Sequence, residues 1–158
     1  MTGNAGKTPL PDRLRDAAET LNRESDALAQ SLRETEAALN ALALGIEVHL
    51  EEPILTVREM AEDKKGNPMG EYTLEYSLGY GKCLGKNKRE WGIWIRTDFE
   101  GETKDFTGVA ELSRELRVAA SKHLHALIDL LTAEAEKVAK DVREAQAALD
   151  EAARRLNK

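Results

Sequence analysis

One cysteine, Cys83, is all the chain has, so no internal disulfide can form and nothing points to an oxidising compartment. No stretch approaches the ~18 consecutive apolar residues of a membrane helix. The opening residues Met1 to Lys7 contain no apolar run, which argues against a secretory signal and for a cytoplasmic protein without a membrane partner. Aromatic residues are scarce at 4%, and all of them fall between Tyr72 and Phe106. Apart from Gly3 and Gly6, every glycine lies between Gly45 and Gly108. Those scarcities divide the 158 residues into three parts: a stretch without glycine or proline, an aromatic and glycine-bearing middle, and a second stretch without either.

What fills the two outer stretches is Ala, Leu, Glu and Arg in helical order. Residues 1–11 read as a flexible leader, followed by a first long helix over 12–44. There Leu14, Leu21, Leu28, Thr35 and Leu42 recur every seven residues, with Ala18, Ser25, Leu32 and Leu39 as the companion series. This is a heptad seam interrupted only by Ser25 and Thr35. Gly45 stands where a left-handed residue closing a helix is expected. A second long helix is expected over 109–157. Its C-terminal half repeats Ile128, Ala135, Val142, Leu149 and Leu156 against Leu131, Val138, Ala145 and Ala152. Its N-terminal half, with Leu112, Leu116, Ala119, Ala120, Leu127 and Leu130, has an apolar face too wide for one partner helix.

The middle part, 46–107, reads as a β module in a single-domain chain. Tyr72, Leu74, Tyr76, Leu78 and Tyr80 alternate with Glu71, Thr73, Glu75, Ser77 and Gly79, the period of a strand with one polar face. Trp91 to Thr97 is its expected neighbour, with Ile46–Leu50 and Ile54–Val57 as shorter strands. Asp105 to Gly108 reads as a turn. Tyr72, Tyr76 and Trp94, or else Ile93 and Ile95, are expected against the second helix. The predicted fold class is therefore α+β: a long antiparallel helical hairpin, coiled-coil-like, with a small antiparallel sheet of three or four strands inserted between its helices. On that plan Leu42 lies near Leu112 and Leu14 near Lys140. In arrangement, not in sequence, helix, hairpins and returning helix resemble the prefoldin plan, which implies helical tips able to grip partners.

The antiparallel plan leaves about 16 residues of the second helix overhanging, roughly 24 Å at ~1.5 Å per residue. Ala145, Leu149, Ala152 and Leu156 then lack a partner within the chain unless the leader covers them, and they are the candidate interface for self-association. Charge marks a second candidate. The chain carries a net −6, yet Lys82, Lys86, Lys88, Arg89 and Arg96 stand against a lone Glu90. Lys82, Lys86, Lys88 and Arg89 form a candidate partner-binding hairpin beside Tyr80, Trp91 and Trp94. Basic and aromatic side chains together suit either an acidic protein segment or a nucleic-acid strand, whose bases stack on aromatic rings. The four acidic residues Asp98, Glu100, Glu102 and Asp105 follow at once and would repel phosphate.

Catalytic signals are weak. Gly3 to Thr8 matches the second half of a phosphate-binding loop, but no strand precedes it. Gly81 to Lys86 echoes the same loop one residue short. His123 and His125 are two apart rather than the four a helical zinc pair needs. Cys83 has no histidine nearby in sequence, and Glu51 and Glu52, if in a strand, point opposite ways. No cofactor or metal is expected. The expected role is non-catalytic: an oligomerising interaction or scaffold protein, with a nucleic-acid-binding accessory protein as the alternative.

Overall fold

A computed structural model describes residues 12–84 and 89–157. It is α+β, with a sheet of five strands lying between two helices in sequence. Helix α1 spans Asp12–Ala41, and β1 (Val48–His49), β2 (Leu55–Glu62), β3 (Pro68–Leu84), β4 (Arg89–Phe99) and β5 (Glu102–Gly108) follow. A short 3-10 turn, Val109–Glu111, then leads into α2 (Arg114–Leu156), which is 43 residues long.

All strand pairings are antiparallel, and β3 is the axis of the sheet. One edge of β3 carries β2 and then β1 in succession, and the other carries β4, which in turn carries β5. The turn chemistry is local. Asp63 accepts the backbone N–H of Lys65 and of Asn67 and the Asn67 side-chain amide, closing β2 onto β3 with Gly66 at φ 81°. Glu100 and Gly101, at φ 49° and 79°, form the two-residue turn between β4 and β5, whose handedness matches the twist of paired strands.

Three expectations about the sheet need correcting. It has five strands rather than three or four, since β5 was hidden in a stretch of turn composition. Asp105 to Gly108 is not a turn but the end of β5, because Asp105 and Phe106 pair with Thr97 and Arg96. Residues Glu51 and Glu52 lie in a bend, outside any strand. The alternation in β3 is also less one-sided than the sequence suggests. Leu78, Tyr80, Ile93 and Ile95 face the helices and are buried. On the opposite face the Trp94 indole lies over Gly79 and meets Phe106 edge-on at 5.2 Å between ring centroids. Ile93 and Ile95, not Trp94, are therefore the residues under the helices.

The helices meet the sheet and each other differently from a hairpin. Arg114 Nε and Arg117 Nη2 donate to the Ser25 hydroxyl at 3.4 and 3.0 Å, and Arg114 Nη2 donates to Asn22 Oδ1 at 3.1 Å. At the other end, Leu39 and Leu42 share an apolar groove with Ile128, Leu131 and Ala135. Both helices advance by about four turns between those two meeting places, so they run in the same sense. The antiparallel hairpin, with Leu42 near Leu112 and Leu14 near Lys140, is thus overturned, and with it the prefoldin-like plan. The reason lies in the middle part: β4 runs back along α1, with Trp91 at Asn40 and Ile93 at Glu36, so the chain returns toward the start of α1 before α2 begins. Ser25, which interrupts the heptad seam, is the acceptor that holds the start of α2. The core is the layer between: Leu32, Leu39, Leu78, Tyr80, Ile93, Ile95, Ala120, Leu127 and Leu131. Each such large apolar side chain stabilises the fold by roughly 1.5–3 kcal/mol when fully buried.

Helix boundaries shift slightly. The first helix ends at Ala41, not residue 44, and Ala43 (φ 49°) and Gly45 (φ 65°) both take the left-handed conformation after it. The second starts at Arg114, not 109, where the Ser113 hydroxyl caps it by accepting the Leu116 N–H at 3.3 Å.

Candidate functional site

Because the helices run in the same sense with their contacts near Ser25 and Leu39, each projects from a different end of the body. The first turns of α1 expose Leu14 and Leu21, and α2 leaves the body after Ala135. Every residue from Glu136 to Asn157 is exposed. This arm carries the predicted interface, and the structure places Ala145, Leu149, Ala152 and Leu156 on one stripe with Val138 and Val142. Leu149 is 65% exposed and Leu156 86%. The same spacing runs back along α2 through Ala135, Leu131, Ile128 and Leu124, of which Leu131 is buried in the core and Leu124 packs against it. Ion pairs on the arm's flanks, Lys140 with Glu144 at 3.8 Å and Arg155 with Glu151 at 3.0 Å, support the helix locally. At the arm's root the end of α1 closes an apolar groove of about 370 Å³, lined by Leu39, Leu42, Leu44, Leu131, Ala135 and Ala139 among others.

The predicted hairpin divides. Lys86 and Lys88 lie outside the described residues, as do Gly3 to Thr8 and the leader. Arg89 opens β4, and Lys82 lies exposed on β3. The Lys82 ammonium sits over the Trp91 ring at 5.7 Å, and Tyr80 flanks the same ring at 5.8 Å. Arg96 belongs elsewhere: its Nε bonds Asp98 at 3.0 Å, and Asp98 also accepts from Thr103. Gly81 to Leu84 are strand, and β4 follows rather than a helix, so the second echo of a phosphate loop has no helix N-terminus to offer. His123 is half-buried with Nδ1 at 2.9 Å from the Ala119 carbonyl, whereas His125 lies exposed beside Asp129. Among the described residues no cluster of His, Cys, Asp or Glu stands together to hold a metal, and no helix is long and apolar enough to cross a membrane.

One arrangement at the edge of the sheet was not legible in the sequence. The pairing of β4 with β5 stops at Trp94, leaving the edge of β4 from Trp91 to Ile93 without a strand. Helix α1 supplies the missing partners one turn apart. Glu36 Oε2 accepts the Ile93 N–H at 2.8 Å, and Asn40 Nδ2 donates to the Trp91 carbonyl at 3.0 Å. Asn40 Oδ1 in turn accepts from the Tyr80 hydroxyl at 2.8 Å. Gly92 makes the approach possible, since a Cβ there would lie 2.6 Å from Glu36 Oε2. A cavity of about 550 Å³ opens beside this junction, lined by Asn40, Leu44, Tyr80, Glu90 and Trp91 among others. Glutamate and asparagine four apart on a helix are too common for the sequence to have flagged them.

Burial holds the Glu36 carboxyl above the ordinary carboxylate range, the Ile93 N–H pulls it back, and the charge of Glu90 pushes it up again. A raised acid pKa means that the folded state holds the proton more tightly than the unfolded chain does. The stability linked to it is full below the ordinary value of 4.5 and is lost as pH rises through the raised one. Glu36→Gln keeps an acceptor for Ile93 and removes that loss. Comparing urea midpoints at pH 4 and pH 7, the native chain is expected to lose stability relative to Glu36→Gln as pH rises. Glu36→Ala strands the Ile93 N–H and is expected to cost about 1–3 kcal/mol.

No protein-family model matches the chain, no curated protein matches it, and no solved structure matches it.

Proposed function

We propose that this protein is a non-catalytic, oligomerising interaction protein whose main contact surface is the projecting arm of α2. The observation that carries the reading is the stripe from Val138 to Leu156: a regular heptad seam on a helix exposed all round, in line with the chain's own buried core. A helix that only needed to solvate itself would not keep apolar residues at every seam position, because exposed leucine and valine add nothing to an isolated helix that alanine or glutamate would not. The end of β3 with Lys82 and Trp91 is a second, smaller contact surface.

Nucleic-acid binding by the basic hairpin receives less support. Trp94 is buried against Gly79 and Phe106 and offers no face to a base, and the Trp91 ring already has Lys82 over it and Tyr80 at its side, which leaves only its cavity side. Sedimentation equilibrium of the full chain tests the proposal. The native protein is expected to exceed the mass of one 17.5 kDa chain, and Leu149→Glu with Leu156→Glu is expected to return it to that mass with its helix content kept. A native protein that sediments as one chain at tens of micromolar would sink the reading. Retention on a nucleic-acid column that falls steeply with salt would favour the hairpin instead.

A further inference from the structure

Resting on that reading, we infer that the occupant of the arm is the arm of a second copy of this chain, running antiparallel, with Leu156 of each copy seated in the groove at the root of the other.

Residues 1–11 do not reach the arm. Helix α1 begins at Asp12, beyond the end where α2 begins, and the arm leaves from the opposite end. Along parallel helices rising ~1.5 Å per residue, Asp12 lies on the order of 65 Å from Ala145. Residues 1–11 span at most roughly 38 Å when fully extended.

Side-chain size then selects the direction of pairing. When two arms run antiparallel with Val138 facing Leu156, the following layers place Val142 opposite Ala152 and Ala145 opposite Leu149, and the second half repeats these reciprocally. Leucine always meets a smaller residue, and both alanines meet a larger one, so the layers fill evenly. A parallel pair in register would set Ala145 against Ala145, Ala152 against Ala152 and Leu149 against Leu149, alternating hollow layers with crowded ones.

Charge selects the same direction. In the antiparallel register Asp141 flanks Arg155 of the other copy at both ends of the coil, Gln146 and Ala148 each meet their own counterparts, and Ala139 meets Ala153. No like charges oppose each other, and flanking charges of this kind set orientation in paired helices. Arg155 uses Nε for Glu151, which leaves the outer edge of its guanidinium for a second carboxylate. In the parallel pair Asp141 would meet Gln146.

The groove closes the fit. Leu156 of the second copy arrives opposite Val138, beside Ala135 and Ala139, where Leu39 and Leu42 line the apolar groove. In this register the second body begins beyond the level of Leu156 of the first copy. The contact is isologous and closes at two chains.

The test uses full-length chains with Cys83→Ser. Chains carrying Ala145→Cys and chains carrying Leu149→Cys are oxidised separately and as a mixture, with sedimentation mass measured in parallel. The antiparallel pair is expected to give disulfide-linked dimer chiefly in the mixture. Separately, Asp141→Arg and Arg155→Asp are each expected to weaken association about tenfold, and the two together to restore it, since the reversed pairs face each other again. Cross-linking of each single-cysteine chain with itself, as efficient as in the mixture, would mean parallel arms and overturn the inference. A dimeric mass with no cross-link in any combination would place association on another surface, overturning the inference and the role of the arm while leaving self-association standing. A monomeric mass would overturn both.

Discussion

Leu127→Ala is expected to cost about 2–5 kcal/mol, the range for removing a fully enclosed leucine from a core that cannot close over the gap. Leu127 has no exposed surface, and it lies in the core layer where α2 crosses the sheet, with Leu78, Tyr80, Ile93, Ile95 and Leu131 in the same cluster. Leu149 lies on the exposed stripe 22 residues further along the same helix and is mostly exposed in the single chain. At dilutions where the chain is monomeric, Leu149→Ala is expected to stay within about 0.5 kcal/mol. Urea unfolding of the two variants, followed by Trp fluorescence, measures both. Equal losses at the two positions would mean that the arm is packed in the single chain, against the exposure described above.

Gly79→Val is expected to be the most damaging change in the sheet, at about 3 kcal/mol or more. Overpacking a filled site usually costs about 1–3 kcal/mol, and here the obstacle is an indole held on two sides. A Cβ at Gly79 would fall inside contact distance of the Trp94 ring, whose other neighbour is Phe106. Gly79→Val with Trp94→Leu is expected to recover part of the loss, because the side chain in the way becomes smaller. Thermal unfolding of the single and double variants distinguishes this from a simple loss of strand pairing, which the second change would not mend.

Some of this was readable from residue order. The division into helix, sheet and helix follows from where glycine and the aromatics are absent, and the strand β3 from the alternation through Tyr72 to Tyr80. The seam on the arm needed only the spacing of Val138, Val142, Ala145, Leu149, Ala152 and Leu156. These are local signals, each carried by side chains within a few residues of one another. Strand β5 was hidden because Asp105, Thr107 and Gly108 have turn composition, and pairing with β4 overrode that preference.

Residue order alone specifies that two long helices form, that a sheet lies between them, and that the end of the second helix carries an apolar stripe. The sense in which the helices run, and hence where that stripe ends up, is set by the folded chain as a whole. Periodicity gives each helix a face but no direction relative to another helix, since a heptad seam fits a parallel or an antiparallel neighbour. Direction came from long-range pairings no local pattern contains: Ser25 with Arg114 and Arg117, Glu36 and Asn40 with the edge of β4, and Leu39 with Leu131.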